Sequence, residues 1–263
     1  MPELPEVEAQ RKLVEKHLTG RTLVRVAAAR DTIVYSGVSS HQFAERLRGR
    51  KVHGVRRKGK HLWLELDRRP WPIFHFGMGG HFEVYRDFER PRFWKVELEC
   101  EDGVCLAMTN PRRLGRIRLL HDPLSEPPLS LLGPDPLDAL PSVPAFARML
   151  SARRGPIKAV LLDQKFLAGI GNWVADEVLY QARISPFRLV PSLSDVEIRR
   201  LRSKIRSVIE RAVAVDARSE LFPRNWLFHV RWGKDPEARV RSGGLAFGVV
   251  GGRTTAWVPS VQI

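Results

Sequence analysis

The sequence predicts an α+β fold: an N-terminal helix with an antiparallel β-sandwich, then a helical region closed by a β-hairpin. Three observations predict it. From Thr22 to about Leu120 the chain reads mainly as strands separated by Gly, Pro and Asp turns. A Pro-rich joint from Pro123 to Pro144 then breaks that pattern. Beyond the joint, apolar residues recur at helical spacing before a Gly-rich, strand-like end.

The elements follow in order. An amphipathic helical stretch after Pro2-Glu3-Leu4-Pro5 runs to about Leu18 and is stopped by Gly20. Strands are expected at Thr22–Val26, His61–Leu66, Ile73–Tyr85, Trp94–Cys100 and Arg116–Leu120, with one short helix at Ser40–Leu47. Stacked layers of such strands form a sandwich or flattened barrel that carries the N-terminal helix. In the second half, Ser194 and Glu197 make a capping box. Ile198, Leu201, Ile205, Val208, Ile209, Ala212 and Val213 then share one helical face. The C-terminal pair is Ala238–Phe247 and Arg253–Val258, turning through Gly251-Gly252. These changes divide the chain into 1–134, 135–224 and 225–263.

With 263 residues and 43% hydrophobic composition, the chain can fill real cores. Lys and Arg number 44 against 29 Asp and Glu, a net charge of +15, which points to a polyanion and first to nucleic acid. The charge is spread along the chain, so a folded basic surface is expected rather than a disordered arm. No apolar stretch approaches ~18–20 residues, so no membrane span or membrane partner is expected. No basic-then-apolar signal pattern opens the chain, which is expected to stay inside the cell, in a bacterial cytoplasm or a nucleus. Cys100 and Cys105 flank Asp102-Gly103, and a two-residue turn there would set them opposite each other. Such a pair is close enough for a disulfide in principle, but free thiols are expected in a reducing compartment. Two cysteines cannot build a four-cysteine zinc site.

Several motifs carry chemistry. If Met1 is removed, Pro2 presents a secondary amine with an α-amine pKa of roughly 8, able to attack an electrophilic carbon and form an iminium. Glu3 and Glu6 are near enough in sequence to move protons. The same residues also read as an ordinary helix start with acids in its first turn. Lys58-Gly59-Lys60 enters a strand and reads equally as a solvated basic turn. His75-Phe76-Gly77-Met78-Gly79-Gly80 ends a strand in a glycine turn, and Asn110-Pro111-Arg112-Arg113-Leu114-Gly115 is a second basic loop. Gly155 to Gln164 leads into Phe166-Leu167-Ala168-Gly169-Ile170-Gly171-Asn172-Trp173. There a glycine-rich turn ends at a new helix N-terminus, whose amides and dipole favour a phosphate. Helix rather than strand precedes this Gly-x-Gly, which excludes a dehydrogenase-type dinucleotide loop.

Taken together, Pro2-Glu3-Leu4-Pro5-Glu6-Val7-Glu8 and the motifs after it resemble the Fpg/Nei family of bifunctional DNA glycosylases, in family order and over nearly the whole chain. The resemblance implies that 1–134 is a catalytic β-sandwich domain, 135–224 a helical DNA-binding domain with a helix–two-turn–helix, and 225–263 a finger. It implies Pro2 as nucleophile, Glu3 as proton donor toward the opening sugar ring and Glu6 as its support. Lys60 matches the lysine facing the lesion's backbone, where a cation can hold phosphate. Met78, on the loop opened by His75, is implied to fill the gap left by a flipped base, with Leu114 as second wedge and Arg112 reading the orphaned base. Leu114 stands where the family commonly has Phe and Asn110 where it commonly has Asp, so stacking at the wedge is weaker. Asn172 is implied to grip phosphate and Lys158 to be a nearby basic DNA contact.

The final hairpin occupies the place of the family's zinc finger but has no cysteine. It looks like the zincless finger of plant and fungal Fpg proteins and some Nei-like enzymes, with Arg253 implied to enter the DNA backbone. The link Ser219 to Trp226 is short, where zinc-containing members carry a longer loop over flipped 8-oxoguanine. The implied activity is excision of oxidised bases (formamidopyrimidines, hydantoins, 8-oxoguanine to a lesser extent) with β,δ-elimination at the abasic site. It uses no cofactor and no metal, acts on double-stranded DNA holding oxidised bases or abasic sites, and is expected of a monomer. The alternative is a non-catalytic binder of damaged DNA or abasic sites on the same scaffold. A metal-dependent nuclease is disfavoured because no dense Asp/Glu/His cluster occurs.

Overall fold

The structure is a computed structural model describing residues 2–86 and 89–263. It divides into two compact units, one of Pro2 with Glu6–Leu131 and one of Glu3–Pro5 with Leu132–Ile263.

The first unit takes most of α1 (Leu4–Leu18), then β1 (Leu23–Ala28), α2 (Ser40–Leu47), β2 (Val52–Lys58), β3 (His61–Leu66) and β4 (Trp71–His75). It ends with β5 (His81–Tyr85), β6 (Trp94–Cys100), β7 (Cys105–Thr109) and β8 (Arg116–Leu120). The strands form two four-stranded sheets, ordered β1-β6-β7-β5 and β2-β3-β4-β8. All their pairings are antiparallel, as the strand patterning predicts. Val7, Val14 and Leu18 of α1 bury against a core that includes Phe43, Phe74, Phe76 and Phe82. Successive rings of this core meet edge to face, the preferred geometry of aromatic pairs.

Two expectations change here. Ile73–Tyr85 is not one strand: β4 and β5 lie in different sheets, because Gly77 (φ 59°) and Gly79 (φ 77°) turn the chain between them. The two cysteines also do not face each other. Gly103 at φ 77° makes the turn three residues long, Cys100 N donates to Val104 O at 2.9 Å, and Cys105 pairs with Glu99. Adjacent positions on a strand face opposite ways, so both thiols are free, Cys100 buried and Cys105 half-buried.

The second unit contains α3 (Val143–Ser151), α4 (Ile157–Leu162), α5 (Asn172–Ala182) and the long α6 (Asp195–Ala214). The predicted capping box is present: Ser194 Oγ accepts from Glu197 N while the Glu197 side chain accepts from Ser194 N. Leu201, Ile205, Val208, Ile209 and Ala212 are its buried face. Four strands follow, β9 (Arg239–Val240), β10 (Gly243–Gly244), β11 (Ala246–Val250) and β12 (Arg253–Trp257). The expected strand Ala238–Phe247 is therefore split. β9 and β10 make their own tight pair, and only β11 pairs with β12 across Gly251-Gly252. Among the described residues no helix is long and apolar enough to cross a membrane.

Candidate active site

In the second unit the chemistry gathers at the start of α5. Its N-cap, Gly171, has no side chain to offer, and the free amides are taken by a carboxylate from far away in sequence. Glu3 Oε2 accepts from Gly171 N at 2.8 Å and Val174 N at 3.1 Å, and Oε1 from Trp173 N at 2.9 Å. Leu4 N donates to Gly169 O at 3.0 Å, so both residues after Pro2 are fixed. The two glycines of the turn have separate reasons. Gly169 sits at φ 95°, and a Cβ on Gly171 would lie 2.3 Å from Glu3 Cδ. The sequence reading placed a phosphate at these amides; the anion they hold is Glu3's own carboxylate. Gln164 laces the turn by accepting from Gly169 N and donating to Leu162 O and Ile170 O.

Asn172, first residue of α5, is half-buried and donates through Nδ2 to Thr254 O at 2.9 Å, beside Arg253. Arg253 is exposed at the mouth of the hairpin turn. Glu3, Asn172 and Arg253 are thus brought together. Lys158 is not an accessible basic contact. It is fully enclosed, pairs with Asp176 Oδ1 at 2.7 Å, and donates to Thr254 O and Thr255 Oγ1. Burial pushes its ammonium down from the usual lysine value while the Asp176 carboxylate pushes it back up. The hairpin carries no thiol, since both cysteines lie in β6 and β7, so its residues do not fit a zinc site. A small cluster of Leu227, Ala238, Leu245, Ala256 and Val258 packs it instead.

The first unit holds the remaining candidates. Pro2 is half-buried, and Glu6 lies in the first turn of α1. Lys60 is buried in the two-residue turn joining β2 to β3, where Gly59 takes φ 57°. Arg57 anchors that turn, donating to Gly59 O and, through Nε, to Glu8 Oε2 at 2.9 Å on α1. Arg11 shares Glu8. Sequence reasoning quoted Glu8 without a role; its i,i+3 spacing to Arg11 is the visible signal.

His75, which the resemblance places among the DNA-facing residues, is half-buried. Burial first, then Lys60, Arg118 and Arg116, lower it to about 4, so the ring is neutral near pH 7. Its Nδ1 accepts from Gly77 N and supports the loop that carries Met78. Met78 is half-buried, while Arg112 and Leu114 are exposed on the other loop. Arg113 makes a two-pronged pair with Asp31, which also binds Lys95. These partners hold Asp31 well below the usual carboxylate range.

An antiparallel sandwich carrying a proline-led helix, a helix–turn–helix capped by Glu3 and an arginine-tipped hairpin define a helix–two-turn–helix DNA glycosylase. Comparison with known proteins agrees. A family model described as the formamidopyrimidine-DNA glycosylase N-terminal domain matches residues 1–117, and one described as its H2TH domain matches residues 132–222. The chain belongs to the formamidopyrimidine-DNA glycosylase family. A formamidopyrimidine-DNA glycosylase of Arabidopsis thaliana is 44% identical over 276 residues, covering 100% of this chain and 71% of that protein. One from Thermus thermophilus is 40% identical over 215 residues, covering 81% and 76%. Among solved structures, Lactococcus lactis formamidopyrimidine-DNA glycosylase bound to DNA containing an AP site superposes with a TM-score of 0.86 at 25% identity over 99% of each chain.

Proposed function

We propose that this chain excises oxidised bases from double-stranded DNA and cleaves the resulting abasic site, with Pro2 as the nucleophile once Met1 is removed. The observation that carries the reading is the anchoring of Glu3 by three backbone amides of the α5 start, directly behind Pro2. A nucleophile at a chain terminus is useful only if the terminus is held, and this clamp holds its neighbour.

In this reading the Pro2 nitrogen attacks C1′ of the flipped nucleotide's sugar, and the glycosidic bond breaks as the base leaves with a proton. The C1′–O4′ bond then breaks as O4′ takes a proton from Glu3, and the iminium this leaves at C1′ joins protein and DNA. Loss of a C2′ proton expels the 3′ phosphate, and a second elimination expels the 5′ phosphate. The amides and helix dipole at Glu3 favour a carboxylate there, which suits stabilising the developing cation and taking a proton from the attacking amine to pass it on to O4′ of the opening sugar ring. Glu6 supports the same proton traffic. Lys60, Asn172 and Arg253 hold the backbone phosphates, Arg112 reads the orphaned base, and Met78 with Leu114 occupies the gap. A bacterial cytoplasm or a nucleus is the compartment in which such an enzyme meets its DNA.

Borohydride trapping on duplexes bearing different oxidised bases tests this. The expected result is a covalent protein–DNA adduct mapped to Pro2, lost when Met1 or a tag precedes it. An adduct on Lys60, or DNA binding with no adduct at any lesion, refutes it.

A further inference from the structure

Asn110 is wholly buried between the two loops that carry the wedge residues. Its Nδ2 donates to Phe76 O at 2.7 Å, and its Oδ1 accepts from Gly115 N at 3.0 Å. One amide group therefore spans loop 76–80, which carries Met78, and loop 110–115, which carries Arg112 and Leu114. Both ends of the amide are used, and they are chemically different ends.

The surrounding glycines make this contact possible. A Cβ on Gly77 would lie 2.3 Å from Leu114 C, and one on Gly80 2.3 Å from Asn110 Nδ2 and 2.4 Å from Phe76 O. A Cβ on Gly115 would lie 2.7 Å from Asn110 Nδ2 and 2.9 Å from His75 O. The two loops thus meet backbone to backbone, with the Asn110 amide as the group between them. On its other side, the 110–115 loop is pinned by Arg113 to Asp31, and Asn110 N donates to Phe93 O at 3.0 Å.

We infer that Asn110 is a positioning residue that locks the two loops into one preformed wedge, and that this lock sets how strongly the base opposite the lesion is discriminated. The inference rests on the glycosylase reading above. Arg112 can tell one orphaned base from another only if its distance from the gap-filling Met78 is fixed, because bidentate base readout tolerates little displacement. An aspartate, common at this position in the family, keeps the acceptor for Gly115 N but has no proton for Phe76 O. The lock in this chain therefore depends on the amide.

The test compares wild type with Asn110→Ala and Asn110→Asp. Single-turnover cleavage is measured on an abasic site placed opposite each of the normal bases, and on the same strand without a complement. Both variants should lose the spread of rates among opposite bases, and duplex cleavage should fall roughly tenfold or more, as expected for an unmade buried hydrogen bond. Single-strand cleavage, which has no orphaned base, should fall far less. Asn110→Asp is nearly isosteric and removes a single donor, so it decides the matter if Asn110→Ala does not fold. An unchanged spread in Asn110→Asp, or single-strand cleavage falling as far as duplex cleavage, overturns the inference. Wild-type protein that cleaves no duplex overturns the glycosylase reading and this inference with it; wild-type activity with discrimination retained in the variants overturns the inference alone.

Discussion

Lys158 Nζ lies 2.7 Å from Asp176 Oδ1, and both side chains are fully buried. Asp176 also accepts from Arg231 Nη2 at 2.6 Å and from Ala256 N at 3.2 Å. One carboxylate on α5 thus ties together α4, the segment after α6 and strand β12. This cluster and the small apolar core beside it anchor a hairpin that has no ligands for a metal.

Lys158→Met should therefore damage stability more than recognition. Removing one partner of a buried ion pair costs about 3–5 kcal/mol, because the remaining charge and its hydrogen-bond partners lose their complement. Arg231 stays on Asp176 and should hold the loss toward the lower end. Urea unfolding measures the cost. Where the variant is folded, the salt dependence of DNA binding should match wild type; a slope reduced by about 0.9 would restore Lys158 to the DNA surface.

Glu3→Gln should separate the anchor from the chemistry. The glutamine oxygen can still accept from some of Gly171 N, Trp173 N and Val174 N, but its NH2 faces donors, leaving a buried group unsatisfied. A loss of about 1–3 kcal/mol in stability is expected. Trapping on a preformed abasic site should fall by roughly 10²–10⁴-fold, the usual weight of a positioned proton-transfer group. A variant destabilised by that amount yet trapping at the wild-type rate would leave Glu3 as an anchor only.

Much of this was legible in the sequence. The capping box at Ser194 and Glu197, the helix Ser40–Leu47 and strands His61–Leu66, Trp94–Cys100 and Arg116–Leu120 follow from local patterning, and the structure reproduces their bounds. What the sequence hid were pairings across long separations. Gly169-x-Gly171 announced an anion site, yet nothing local says that Glu3, 168 residues from Gly171, supplies the anion. Lys158 read as a basic contact because a lysine in a DNA-binding segment looks exposed until Asp176 and Arg231 are placed around it. Asn110 read as a departure from a family pattern, and its meaning appears only with Phe76 O and Gly115 N in place. The cysteine register failed by one residue because a glycine at positive φ lengthened the turn.

Arg112→Ala should flatten the dependence of cleavage on the opposite base. Both Arg112 and Arg113 are exposed, but the Arg113 guanidinium is occupied by Asp31, so Arg112 is the arginine placed to read a base. Leu114→Phe should keep that dependence and improve lesion retention by roughly 1 kcal/mol or more through stacking. Dissociation rates on matched duplexes check both. Uniform weakening by Arg112→Ala on every duplex would reduce it to a phosphate contact.

The His61–His75 pair should make the first unit sensitive to mild acid. Their rings are 4.8 Å apart; burial, His75 and nearby cations lower His61 to about 3, and burial and nearby cations lower His75 to about 4, against an ordinary value of 6.5. The unfolded chain then binds protons more readily, so stability is complete above about pH 6.5 and declines as pH falls toward the folded values. By pH 5 each histidine should cost roughly 1–2 kcal/mol. Denaturation midpoints at pH 7 and pH 5 measure the decline, and His61→Phe, which keeps a packed ring without a titrating group, should reduce it. An equal decline in that variant would place the acid sensitivity elsewhere.

The segment between α6 and the hairpin predicts lesion preference. Phe222 and Trp226 are almost fully buried and pack with Trp173 of α5 at ring separations of 5.6 and 6.4 Å, and Phe228 meets Trp173 edge to face at 5.1 Å. Chain anchored by that many aromatic contacts is not free to fold over a flipped purine, because each buried ring would have to be withdrawn at a cost of about 1.5–3 kcal/mol. An intact 8-oxoguanine then lacks a covering loop, whereas ring-opened formamidopyrimidines, hydantoins and abasic sites depend less on one. Single-turnover rates on matched duplexes should therefore place 8-oxoguanine behind those lesions. If 8-oxoguanine is instead the fastest substrate, lesion choice is made by contacts other than a covering loop, and the packed link has no part in it.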